Sequence, residues 1–158
     1  MNIEQIIDGI GNQGPIITFL LTSFYLLSQK KYLIAYLVFS FINHFSNPVL
    51  KMLFKEPRPN VRIEKDPDLN RRIKDLGDDK YGMPSYHAQT TFFSTVFLYL
   101  VQKNPYVLLV ELTICCLTLY QRFKYSRHTV AQLIAGSTIG SFVAYISYYL
   151  TNHYLLRQ

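Results

Sequence analysis

Two histidines, three cations and a serine stand where apolar stretches of this chain begin and end. Lys51 and Arg58 close one stretch in the run Lys51-Met-Leu-Phe-Lys-Glu-Pro-Arg58-Pro59, and Pro84-Ser85-Tyr86-His87 opens the next. Arg122 and His128 flank the polar link between the last two stretches, with Gln132 four residues beyond His128. Ser85 occupies a helix N-cap position, with proline before it and apolar helix after it. The free N–H groups and positive dipole end of such a helix suit a phosphate, and His87 lies within its first turn. On a helix His128 and Gln132 share a face. The Gln132 carbonyl can then accept the Nδ1–H of His128 and leave Nε2 unprotonated for attack. The set is sufficient for phosphoryl transfer. His128 would attack phosphorus and His87 would protonate the leaving oxygen, while Lys51, Arg58, Arg122 and the amides near Ser85 hold the non-bridging oxygens. The carboxylate cluster that a magnesium site wants is missing, so no metal and no cofactor is expected. Taken singly, His87 reads as a helix-end histidine and Lys51 and Arg58 as snorkelling anchors. Their joint spacing makes the site.

The elements that must position these residues are membrane spans. Of the 158 residues, 49% are hydrophobic and 16% charged, against about 25% charged in a soluble domain. The apolar residues gather into five stretches, at about 15–28, 32–54, 85–101, 105–120 and 129–149, several of them short for the ~20 residues of a perpendicular span. Polar residues concentrate in 55–81, which reads as an extramembrane loop. Ahead of the first span, Ile3, Ile6, Ile7 and Ile10 fall on one face of a short helix. Gly11, Gly14 and Pro15 should break it, which predicts an interfacial helix over 1–14. Tyr32, Tyr81, Tyr106, Tyr120 and Tyr149 stand near span ends as an interfacial belt. The expected fold is therefore all-α, a polytopic transmembrane bundle of five spans plus an N-terminal amphipathic helix, forming a single membrane-embedded domain.

Five spans bring all three clusters to one side. That side carries twelve Lys and Arg against four on the other, which by the positive-inside rule would be cytosolic. The net charge of +6 lies between apolar spans and no groove-reading motif accompanies it, so nucleic acid is not the expected partner. An anionic lipid head group in the bilayer is. Cys115 and Cys116 are adjacent and show neither disulfide nor metal-ligand spacing. The N-terminus lacks early Lys or Arg, so no secretory signal peptide is expected.

These clusters resemble the three motifs of the type 2 phosphatidic acid phosphatase family, K-x6-R-P, P-S-G-H and S-R-x5-H-x3-D. Here they read Lys51…Arg58-Pro59, Pro84-Ser85-Tyr86-His87 and Gln121-Arg122…His128…Gln132, in order and at matched spacing. The resemblance implies His128 as nucleophile, His87 as acid, and phosphate contacts from Lys51, Arg58, Ser85 and Arg122. Tyr86, in the glycine position of the second motif, falls at the same phosphate site. It also implies a site facing the lumen or periplasm, opposite to the charge count. Tyr86, Gln121 and Gln132 depart from the motifs; Tyr86 could narrow the pocket, and Gln132 withholds the counter-charge of the aspartate. The form His-Thr-x-x-Gln is similar to the dolichyldiphosphatase branch. That favours a polyprenyl (dolichyl or undecaprenyl) diphosphate over phosphatidate or another glycerolipid phosphate. A third reading, an inactive lipid-phosphate-binding membrane protein, rests on the same departures. Haloperoxidase relatives share the pocket, but a five-span chain argues against that activity.

Other residues are expected to be structural. Arg127 and Lys124 read as solvated flanks, and His44 and Asn47 as interhelical hydrogen-bonding residues that could also floor the pocket. Glu111, inside the fourth span, reads as a snorkelling or paired carboxyl. The loop over 60–80 reads as a lid or solvated connector.

Overall fold

In the computed structural model, residues 2–59 and 80–155 are described; the expected lid or connector lies almost wholly outside them. Five helices account for the described chain: α1 (Ile3–Tyr25), α2 (Lys30–Phe54), α3 (Tyr86–Gln102), α4 (Pro105–Lys124) and α5 (Val130–Leu150), the last continued by a π-helical turn, Thr151–Leu155. Among the described residues no strand forms; one isolated bridge pairs Pro57 with Tyr81. The all-α bundle is as expected. Three segments, Lys30–Phe54, Pro105–Lys124 and Val130–Tyr154, are long and apolar enough to cross a membrane. Their outward faces carry exposed Phe41, Phe45, Leu53, Leu109, Val110, Phe142 and Tyr145, more apolar surface than water tolerates.

The N-terminal expectation fails at the helix break. Residues 3–25 form one continuous helix through Gly11, Gly14 and Pro15, started by an Asn2–Gln5 capping box. Gly14 does not break it because its missing side chain is used for contact: a Cβ there would stand 1.9 Å from Thr118 Oγ1 of α4. At about 1.5 Å per residue this helix is ~34 Å long, enough for the hydrocarbon core.

The shortest helix, α3, runs through the middle and packs on all four others. It can bury Gln89, Thr91, Ser94 and Thr95 because it faces protein instead of lipid, where each polar group finds a partner. Tyr36 of α2 stacks on Phe93 (5.7 Å) and lies near Phe97 (5.5 Å) between ring centroids. Its hydroxyl meets Ser94 Oγ at 2.7 Å. Gln89 donates to Asn43 Oδ1 (2.9 Å) and accepts from Asn47 Nδ2 (2.8 Å), a polar rivet between α2 and α3. Gly136 and Gly140, one turn apart on α5, let its backbone close on α3; a Cβ on Gly140 would stand 2.1 Å from the Gln89 carbonyl. This is small-residue packing of the kind membrane helices use.

Glu111 does not snorkel. It is fully buried, accepting from Thr95 (2.9 Å) and Thr22 (3.3 Å), so it ties α4 to α3 and α1. Tyr32 likewise serves the bundle, donating to Asn152 Oδ1 at 2.8 Å, whereas Tyr106, Tyr120 and Tyr149 are exposed as a belt requires.

Candidate active site

The α2 C-terminus and the α3 and α5 N-termini converge at one end of the bundle. Lys55 ends α2 with positive φ. Residues 56–58 then run beside 80–82, joined by Gly82 N–H to the Glu56 carbonyl (2.7 Å) and Arg58 N–H to the Lys80 carbonyl (3.4 Å). This clamp brings Arg58 back over the α3 N-terminus. The α4–α5 turn, closed by Arg127 N–H on the Arg122 carbonyl at 3.0 Å, sets His128 beside it.

The result is a cavity of about 410 Å³ lined by Lys51, Arg58, Tyr86, His87, Arg122 and His128, with His44, Asn47, Pro48 and Arg127 completing the wall. Six of the eight expected site residues therefore share one cavity, although they span 78 positions of sequence from Lys51 to His128. Four cations around one concavity produce a field that attracts anions. Arg127 is exposed, as a flank should be, but it also lines the cavity. Lys124 is no bare flank either: it pairs with Glu4 (2.7 Å) and Asp8 (3.0 Å) of α1, while Tyr125 donates to Asp8.

Ser85 and Gln132 stand behind the cavity wall. Ser85 is the fully buried N-cap of α3, its N–H bound to the main-chain carbonyl of Gln132 at 3.0 Å. Its hydroxyl has no hydrogen-bond partner among the described residues. The first amides of α3 add donors and a positive dipole end to the cavity wall. Tyr86 directs its hydroxyl to His44 Nδ1 at 2.9 Å, so the phenol is committed across the α2–α3 boundary.

His128 is buried, and its Nδ1 lies 3.0 Å from the Gly82 carbonyl and 3.2 Å from Gln132 Oε1. A backbone carbonyl only accepts, so Nδ1 carries the hydrogen and the Nε2 of the neutral ring is an unprotonated lone pair. Burial, reinforced by the Arg58 charge, pushes the His128 pKa down to about 3. The expected Gln132 contact is present, with Gly82 as a second, closer acceptor. His128 lies in the turn before the Thr129 N-cap and not on the helix, so the cap geometry and not a shared helix face makes it. Gln132 also completes a capping box with Thr129, accepting Thr129 N–H (3.3 Å) and giving its own N–H to Thr129 Oγ1 (3.2 Å). That Thr-x-x-Gln signature stands in the sequence and was a readable helix start. Its amide nitrogen donates to Glu56 Oε1 and the Pro57 carbonyl, both at 2.9 Å.

Sequence reasoning also missed α1. Asn12 Oδ1 accepts from Arg122 Nη2 at 2.5 Å. Reading a break at Gly11 hid that contact. Asn47, buried, keeps its interhelical role through Gln89 and the Pro84 carbonyl and also lines the cavity.

A family model described as the PAP2 superfamily matches residues 29–154. The chain belongs to that superfamily, the type 2 phosphatidic acid phosphatases. Its members are phosphatases, and membership supports a lipid phosphatase activity in general. No curated protein and no solved structure matches the chain.

Proposed function

We propose that this chain is a multi-pass membrane phosphatase that hydrolyses a polyprenyl diphosphate through a phosphohistidine on His128, without a metal. The observation that carries the reading is the commitment of His128 Nδ1 to two acceptor oxygens in a cavity shared with His87 and the cations. In the first step the Nε2 lone pair forms an N–P bond as the bond from phosphorus to the leaving oxygen breaks. His87, which the anionic phosphate of the substrate would hold protonated against its buried, cation-lined surroundings, gives its proton to that oxygen. In the second, neutral His87 takes a proton from water, the water oxygen bonds to phosphorus, the N–P bond breaks and phosphate leaves. Lys51, Arg58, Arg122 and the α3 amides stabilise charge on the equatorial oxygens.

A lipid substrate is supported by a second feature. An apolar groove of about 330 Å³, lined by Pro15, Ile16, Phe19, Leu37 and Phe41, shares its His44 and Tyr86 walls with the polar cavity. A molecule with a phosphate head and an apolar chain matches that pair of spaces. The polyprenyl preference rests on the His-Thr-x-x-Gln form and the alternative substrate is phosphatidate. On this reading all five helices cross the bilayer and the site faces the lumen or periplasm. A cysteine introduced into the 60–80 loop should label with an impermeant thiol reagent in sealed cells.

The decisive assay is phosphate release by the purified protein in detergent with EDTA, comparing a polyprenyl diphosphate with phosphatidate. Release that survives EDTA and disappears in His128→Ala is the expected result. No release from either lipid by folded protein would leave an inactive lipid-phosphate-binding protein as the better account.

A further inference from the structure

The third motif carries an amide at 132 where its relatives' pattern has a carboxylate, yet a carboxylate lies one residue further out. Gln132 Nε2 donates to Glu56 Oε1 at 2.9 Å and to the Pro57 carbonyl at 2.9 Å. Two acceptors on that side leave Oε1 facing Thr129 N–H and His128 Nδ1. The orientation of the amide is therefore set by what lies behind it. Space for it is kept by Gly82, where a Cβ would fall 2.3 Å from Gln132 Oε1. Gly82 N–H is bound to the Glu56 carbonyl at 2.7 Å, so one short clamp delivers both the acceptor on His128 and the carboxylate behind Gln132.

We infer that Glu56 is a positioning residue for the nucleophile, acting through Gln132 as a His128–Gln132–Glu56 relay. The inference rests on the phosphatase reading. When Nε2 bonds to phosphorus, the ring gains positive charge that Nδ1–H shares. A neutral glutamine answers that charge weakly, but a carboxylate hydrogen-bonded to its amide polarises the carbonyl toward Nδ1. Glu56 thus contributes more in the transition state than in the bound ground state, and the proton stays on Nδ1 throughout.

The test compares Glu56→Gln, which keeps an acceptor and removes the charge, with the double variant Glu56→Gln/Gln132→Asp, which returns a carboxylate directly to His128. Loss of an interaction made mainly in the transition state should lower kcat by roughly 10-fold or more with KM within about 2-fold. The double variant should recover part of the loss. An unchanged kcat, or a loss accompanied by a lower melting temperature and no recovery in the double variant, overturns the relay. A readout independent of turnover is the His128 Nδ1–H resonance in protein labelled at its four histidines. Glu56→Gln should move it, and an unmoved resonance overturns the relay. If wild-type release does not depend on His128, the phosphatase reading fails and this resonance alone decides on Glu56.

Discussion

The Tyr86 hydroxyl lies 2.9 Å from His44 Nδ1, and the two residues form the shared wall between the polar cavity and the apolar groove. Tyr86 occupies the glycine position of the second motif, so this wall is particular to sequences with a large side chain there. A neutral hydrogen bond contributes about 1 kcal/mol, or about fivefold. Tyr86→Phe should lower kcat/KM for the lipid by about that factor. Turnover of a short, water-soluble phosphate ester should stay within twofold. Equal loss on both substrates would mean the pair does not separate head from chain.

His87 is assigned to both steps, which makes its absence visible in two ways. His87→Gln should lower lipid turnover by about 10²–10⁴-fold. With a phenolic ester, whose leaving group needs little protonation, the first step survives and the second does not. Phosphoenzyme should then accumulate, stable to alkali and labile to acid, and His128→Ala should carry none. Labelled phosphate in the quenched protein measures it.

His128 gives the fold a pH dependence. Its pKa falls from the ordinary 6.5 to about 3 in the native protein through burial, so acid protonates the unfolded chain first. The stability it provides is complete above pH 6.5 and is lost as pH falls toward 3. Between pH 6.5 and pH 5 the loss is about 2 kcal/mol. Thermal unfolding in detergent should show a steeper fall over that interval in wild type than in His128→Asn.

The approach of α5 to α3 sets the register of His128 and His87. Gly140→Ala forces a Cβ against the Gln89 carbonyl and should cost about 1–3 kcal/mol through overpacking. Phosphate release should fall with it, since α3 carries His87. Gly9→Ala, with nothing within 4 Å of the added carbon, is the control. It should hold or raise the melting temperature.

The helix bounds were largely legible because apolar runs and their polar interruptions mark where chain can leave a nonpolar environment. Expected stretches at 32–54 and 85–101 became Lys30–Phe54 and Tyr86–Gln102. The misreading at Gly11, Gly14 and Pro15 has a definite cause. A glycine in a helix is a defect in isolation but a contact surface when another backbone arrives, and only α4 shows which applies. Lys124 was misjudged for the same reason, its partners Glu4 and Asp8 being contributed by distant chain.

By itself the sequence determined the local geometry of the site. The Thr-x-x-Gln capping box at the start of α5 sets Gln132 against the turn that holds His128, and the order of apolar spans carried Lys51, Arg58, His87, Arg122 and His128 to one end. What stands behind Gln132 was decided by tertiary structure alone. The contact to Glu56 crosses 76 positions and depends on a clamp between 56–58 and 80–82 that no periodicity encodes. Local spacing is fixed by backbone repeat, whereas a hydrogen bond between distant segments exists only where packing makes their backbones meet.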